Sequence, residues 1–231
     1  MEKEKLKIIH CFRSPVGGIF RHVRDLVEAH SAQGHEVGIF CDSLTGSDYE
    51  DQLFEEIKPK LALGLTRIPM RRAITPSDLI ALRRSYKHFK ELQPDVLHSH
   101  GAKGGAYARI IGSLLRVSGT SVARLYCPHG GSIHYEKGSL KGRVFFGLER
   151  AMERMSDRLI FVSKYEMDGY IDKVGQPRCP VSLVYNGLSE KEYERVATDS
   201  DAADFLYIGM MRDLKGPDVF LEAMQKLNAG D

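Results

Sequence analysis

Tryptophan is missing from this sequence, cysteine occurs only four times in 231 residues, and neither sign of charge dominates. Each shortage closes off a class of protein. A membrane span needs about 20 consecutive apolar residues, and no stretch approaches that length. The apolar run in the opening MEKEKLKIIHCF is too short for a secretion signal, so a cytoplasmic protein is expected. Cys11, Cys41, Cys127 and Cys179 lack CxxC spacing, which removes the zinc knuckle and the redox pair. They read as reduced thiols, three of them packing as small apolar side chains near strand ends. Lys and Arg number 33 against 31 acidic residues, a formal charge of +2, so no nucleic-acid partner is expected. Neither GxGxxG nor GxxxxGK[ST] occurs, so the dinucleotide fingerprint and the P-loop are both absent.

What the chain has instead is alternation. Short β-branched runs fall at Leu6 to Phe12, Glu36 to Cys41, Leu65 to Ile68, Val96 to His98, Ser121 to Cys127, Arg158 to Val162 and Val181 to Tyr185. Between several of them lie apolar stripes at helical spacing: Ile19, Val23, Leu26, Val27; Leu79, Leu82, Phe89, Leu92; Val144, Leu148, Met152, Met155. Strand and helix in this order predict an α/β fold, a doubly wound, Rossmann-like parallel sheet covered on both faces. Residues 1–188 are expected to form that domain and the polar stretch 189–203, SEKEYERVATDSDAA, a linker. Residues 204–231 then read as the first βα unit of a second, truncated domain, with a strand at FLYIG and a helix after Lys215-Gly216. That helix has an apolar stripe, Val219, Phe220, Ala223, Met224 and Leu227, which so small a unit cannot bury by itself.

In an open doubly wound sheet, ligands sit outside the carboxyl ends of the strands. Glycines gather there: Gly17 and Gly18 in RSPVGGIFRHV, Gly101, Gly104 and Gly105 in HSHGAKGGAYARI, Gly130 and Gly131 in CPHGGSIHY. Three such loops on one rim imply close approach of backbone to a ligand. Histidines share the rim. His98 and His100 in DVLHSHG point to one face if the strand reaches His100, but no Asp, Glu or Cys nearby completes a ligand set, so no metal is expected. His98 reads as a packed structural residue. His100 or His129 hydrogen-bonds a polar ligand, and His129, between Pro128 and two glycines, is the better candidate.

Taken together, GGIFRHVRDL with GHEV, DVLHSHGAKGG, PHGG, VSKYE and VYNGL resemble the N-terminal domain of family 4 glycosyltransferases, and FLYIGMMRDLKGPDVFLEAM resembles the opening of that family's C-terminal domain. The resemblance implies a GT-B fold, in which two Rossmann-like domains face each other across a cleft. It implies transfer of a sugar, as a hexosyltransferase, from a nucleotide-sugar donor to a glycan or lipid-linked acceptor, with retention and without an essential metal or cofactor. Polysaccharide biosynthesis would be the setting, at the cytoplasmic face of a membrane.

In the family an Arg and a Lys-Gly bracket the donor diphosphate. Lys215 and Gly216 match, Met210 stands in place of that Arg, and Arg212 is the substitute. The implied catalytic residues are His129, which would hydrogen-bond the donor sugar, Arg212 and Lys215. Substrate-binding positions would be Gly17, Gly18, His100, Gly104, Gly130 and Asn186. The family's later glutamate pair would fall beyond residue 231, so the chain alone is expected to be inactive and to bind nucleotide-sugars no better than millimolar. Two rivals stand beside this reading: a GT-B sugar-nucleotide epimerase, and a non-catalytic module on an anionic membrane surface. The second is motivated by Arg71, Arg72, Arg83, Arg84, Lys87 and Lys90.

Overall fold

The computed structural model describes residues 4–209, 211 and 213–229. They fall into two compact units, residues 1–186 and 187–231. The first unit is a parallel sheet of seven strands in the order β3-β2-β1-β4-β5-β6-β7. The strands are β1 (Lys7–Phe12), β2 (Glu36–Asp42), β3 (Leu65–Ile68), β4 (Val96–His100), β5 (Ala123–Cys127), β6 (Arg158–Phe161) and β7 (Val181–Leu183). The expected doubly wound α/β architecture is therefore present. Boundaries moved: β4 runs on to His100, β5 starts at Ala123 rather than Ser121, and β7 stops at Leu183 rather than Tyr185.

The chain lays down β2 and β3 on one side of β1 and then crosses to β4 on the other. The order reverses between β1 and β4, which is where a doubly wound sheet opens a ligand crevice. Right-handed crossovers place helices made on the two sides on opposite faces. Helices α1 (Gly17–Ala32) and α2 (Asp48–Ile57) bury Phe20, Val23, Val27 and Phe54 with Phe12, Val37 and Ile39. On the other face α4 (Gly101–Val117) and α3 (Ser77–Leu92) pack Tyr107, Ile111 and Phe89 with Ile9, Cys11 and Leu97. Further along, α5 (Leu140–Met152) and α6 (Lys164–Lys173) complete that layer.

The expected α3 stripe holds for Leu82, Phe89 and Leu92, which lie in or against the core, while Leu79 is exposed. The α5 stripe is corrected: Val144 and Leu148 are exposed, and the buried side of the helix carries Gly142, Phe146 and Glu149 instead. In α5 the buried polar Glu149 turns the inward face away from the aliphatic line, because its charge has a partner inside.

The first unit's cysteines behave as expected: Cys11, Cys41 and Cys127 are buried and Cys179 half-buried, all free. The six basic residues Arg71, Arg72, Arg83, Arg84, Lys87 and Lys90 are exposed. Among the described residues no helix is long and apolar enough to cross a membrane.

In the second unit the expected helix forms, α7 (Pro217–Ala229). The expected strand at residues 205–208 does not, because a parallel strand exists only by pairing with a neighbour. Tyr207 and Phe220 rings lie 5.5 Å apart, while Val219, Leu221 and Leu227 remain exposed.

Candidate functional site

The carboxyl ends of β1, β4 and β5 lie on one rim, as parallel pairing requires. Each leads into a glycine, and the glycines do different work. Gly17 opens α1 at φ +66° and Gly130 follows β5 at φ +75°, and a Cβ on either, or on Gly18, would meet nothing within 4 Å. The close backbone approach expected of these positions is therefore sterically open. Gly104 is not such a position. Its Cβ would lie 2.5 Å from Phe12 Cα and 2.6 Å from Cys11 O, so it lets α4 pack onto the β1 backbone. Its expected role in substrate binding is corrected to one in helix packing.

Neither α1 nor α4 has a side-chain cap or an acidic residue in its first turn. Their first N–H groups are thus unclaimed by the protein's own carboxylates, the arrangement that favours an anion at a helix N-terminus.

His129 sits on this rim at φ +50°, a left-handed conformation uncommon for a residue with a Cβ. Two contacts hold it there. The next residue, Gly130, donates its N–H to Glu166 Oε1 at 2.6 Å, and Glu166 Oε2 accepts Val162 N–H at 2.9 Å. Glu166 thereby ties the β5 loop to the start of α6. Behind the imidazole, His129 Nε2 lies 3.0 Å from His100 Nδ1. Burial first, and the neighbouring His22 second, push the His129 pKa down to about 4, so at neutral pH it is an uncharged hydrogen-bonding group. With Nε2 engaged, a bond to a ligand falls to Nδ1.

His100 was expected to meet a ligand itself; instead it is buried and turned inward. Its Nδ1 faces His129 and its Nε2 lies 3.1 Å from His10 Nδ1. His10 Nε2 in turn lies 3.3 Å from His30 Nδ1. The reason is register: His10 and His98 are paired neighbours on β1 and β4, and His98 and His100 are two apart on β4, so all three share a sheet face. That face is covered by α1, which brings His22 and His30, eight residues and two turns apart. The His22 ring lies 5.5 Å from that of His100 and 5.0 Å from that of His129.

In a chain of neutral imidazoles each ring donates once and accepts once. The tautomers of His30, His10, His100 and His129 are therefore set together. His98 is buried, as expected for a packed residue, but its Nε2 has no hydrogen-bond partner. The reasoning that nothing nearby completes a metal set is also corrected, because β5 pairs Cys127 beside His100.

The sequence reading missed His10, His22, His30, Cys127 and Glu166. A signal existed for two of them: His22 and His30 lie on one helical line. His10 and Cys127 join the group only through strand register. Asn186 is exposed at the end of the first unit. Lys215 ends a short 3-10 turn in the second unit and is exposed; Arg212 lies outside the described residues.

The model of Glycosyltransferase Family 4 matches residues 16–192. The chain belongs to this family. An uncharacterised 41.2 kDa protein of the cps region of Klebsiella pneumoniae is 21% identical over 229 residues, covering 95% of this chain and 60% of that protein. The chain thus spans less than two thirds of the length of that relative. Among solved structures, Anabaena Alr3699/HepE in complex with UDP and glucose superimposes with a TM-score of 0.60 at 14% identity, over 83% of this chain and 47% of that one. A glycosyltransferase from Rickettsia africae gives a TM-score of 0.58 at 14% identity, over 98% and 50% of the two chains. At such identities these two likenesses speak for the fold, and the fold is that of one half of a GT-B enzyme.

Proposed function

We propose that this chain carries the acceptor-side half of a retaining, metal-independent hexosyltransferase that moves a sugar from a nucleotide-sugar to a glycan or lipid-linked acceptor, in polysaccharide biosynthesis at the cytoplasmic face of a membrane. The observation that carries the proposal is His129: a neutral imidazole held in a left-handed turn by Glu166 and His100, beside two helix N-termini without capping side chains. A polar, uncharged group next to anion-favouring backbone suits a sugar attached to a diphosphate. Catalysis would then rest on positioning and on stabilising the departing diphosphate. His129 would orient the sugar. The Gly17–Gly18 start of α1 would meet phosphate or acceptor, and Gly130 and Asn186 would line the same region. Lys215 and Arg212 would neutralise the diphosphate.

On the family pattern the carboxylates that contact the donor sugar lie beyond residue 231, so the 231-residue chain alone should bind nucleotide-sugars no better than millimolar, which calorimetric titration checks. The decisive experiment is His129→Ala in a protein that shows transfer. Transfer should fall at least about 100-fold while the melting temperature changes little. Parallel loss of both would make His129 a structural residue and overturn the reading. An epimerase would convert the donor without an acceptor, so product analysis separates the two chemistries.

A further inference from the structure

Six of the nine histidines of the chain lie between α1 and the sheet or at the adjoining rim, and the transferase reading uses only His129 directly. We propose that His22, His100, Cys127 and His129 form a binding site for a borderline transition-metal ion of the Zn²⁺ or Co²⁺ type, whose occupancy fixes the His129 imidazole through Nε2 and so alters how its Nδ1 meets a ligand. The site stands without the transferase reading; only its effect on transfer rests on it.

The geometry comes first. One donor atom from each of the four residues lies within 4.8 Å of all the others, and His100 Nδ1 and His129 Nε2 already face each other at 3.0 Å. A tetrahedral ion with bonds of about 2.0–2.1 Å to nitrogen and about 2.3 Å to sulfur needs its ligands roughly 3.4–3.6 Å apart. The two imidazoles must part slightly and the remaining donors close in, adjustments of about an ångström or less. The four ligands come from α1, from the end of β4 and from β5 with its loop, so the set is anchored on three separate elements.

The surroundings fit a metal too. His100 and Cys127 are buried, whereas His22 and His129 are half-buried, which leaves the site closed below and open at the rim. Metal-bound imidazoles normally have a partner on the second ring nitrogen, and here one is built in. With Nδ1 on the ion, His100 Nε2–H donates to His10 Nδ1, and His10 Nε2–H donates to His30 Nδ1. The whole chain then has one consistent set of tautomers. Burial lowers the pKa of His22, His100 and His129, so these imidazoles are unprotonated and ready to bind at neutral pH. The Cys127 thiol, which burial holds protonated, gives its proton to solvent when its sulfur binds the ion. Three nitrogens and one sulfur select against Mg²⁺ and Ca²⁺, which take oxygen ligands. A second group of donors, His10, His98 and His100, contains the partnerless His98 Nε2. A metal there would break the outer link from His100 to His10 and offers no thiolate, which makes the two sets distinguishable.

The test is titration of the EDTA-treated 231-residue protein with Co²⁺, followed by absorption. Tetrahedral ligand-field bands should appear together with a near-ultraviolet thiolate-to-cobalt charge-transfer band, at one equivalent, with release of protons, and Zn²⁺ should displace the cobalt. Cys127→Ser should abolish the charge-transfer band. His22→Ala, at a half-buried position on α1, should weaken binding at least about 10-fold even if the serine variant does not fold, and His98→Ala should leave the spectrum unchanged. No cobalt binding, a six-coordinate spectrum, or loss on His98→Ala with retention on His22→Ala would overturn the proposal. Cobalt binding as described, together with parallel loss of transfer and melting temperature for His129→Ala in a protein that shows transfer, would leave the site standing and overturn the transferase reading of His129.

Discussion

On the face of the sheet covered by α4 and α5 the buried polar groups include a closed charged pair, whereas on the face covered by α1 they include a cluster of imidazoles. Arg109 Nη2 lies 3.0 Å from Glu149 Oε2, its guanidinium carbon sits 4.0 Å from the Tyr126 ring centroid, and Tyr126 donates its hydroxyl to Glu149 Oε1 at 2.8 Å. The charges are compensated in place and the pair is closed off, with side-chain exposures of 1% and 4%. Opposite, His10, His98 and His100 are buried without an ion pair, linked to one another, to His30 and to the rim. Burial without a counter-charge leaves histidine neutral. A neutral imidazole can change tautomer, bind a metal or meet a ligand; a guanidinium locked to a carboxylate can do none of these. One polar interior holds the domain together, and the other keeps chemistry available at the rim.

The comparison breaks first at Glu149. Glu149→Ala leaves Arg109 buried and unpaired and removes the Tyr126 acceptor, and should cost about 3–5 kcal/mol in urea unfolding. Replacing both partners with apolar residues, Arg109→Met with Glu149→Leu, should recover most of that loss, because the desolvation penalty disappears with the charges. A small cost for the single variant would mean that the pair is not closed.

Acid should act on the opposite face. Burial, then the charge on neighbouring His22, depresses His98 to about 3 and His129 to about 4. As pH falls below the ordinary value near 6.5, the unfolded chain takes up protons that the folded chain refuses. Stability is therefore full above about pH 6.5 and is lost as pH drops toward 4. Each such histidine contributes about 1.4 kcal/mol per pH unit, so these two together should cost roughly 2–3 kcal/mol between pH 6.5 and 5.5 in metal-free protein. Equal stability at those two pH values would show that the imidazoles are charged or solvated in the folded state.

Smaller effects sharpen the contrast between glycines. Gly104→Ala forces a Cβ to within 2.5 Å of the β1 backbone, where nothing flexible can yield, and should cost about 1–3 kcal/mol. Gly18→Ala, with nothing within 4 Å of its Cβ and no positive φ, should change stability by less than about 0.5 kcal/mol in either direction. If Gly18→Ala nonetheless weakens binding of a diphosphate to a protein that binds one, the α1 N-terminus is a contact surface.

Local patterning carried far in the first unit. Seven expected runs became seven strands, and in β1 and β2, buried at nearly every position, the signal is a run apolar toward both faces, read without knowing the neighbours. Where the pattern misled, the cause lay elsewhere in the molecule. Residues 205–208 have the composition of a strand but no paired neighbour, and Val144 and Leu148 have helical spacing but face outward because Glu149 has a partner inside.

At the site, PHGG and HSHG drew attention to His129 and His100, and the glycines marked the rim. Whether His100 would face a ligand or the interior could not be read from its position, since both faces of a strand alternate identically along the chain. Gly104 posed the same difficulty, because a glycine needed for close packing and one needed for ligand approach look alike in sequence.

By itself, then, the sequence determined the order of strands and helices, the placement of glycine loops at strand ends and the family to which the chain belongs, all properties written in local composition and spacing. Only the tertiary structure decided that residues 10, 22, 30, 98, 100, 127 and 129 form one group. They are separated by up to 119 positions and meet through parallel register between β1, β4 and β5 and through the docking of α1. Contacts of that kind depend on which strands become neighbours, and no local pattern states that.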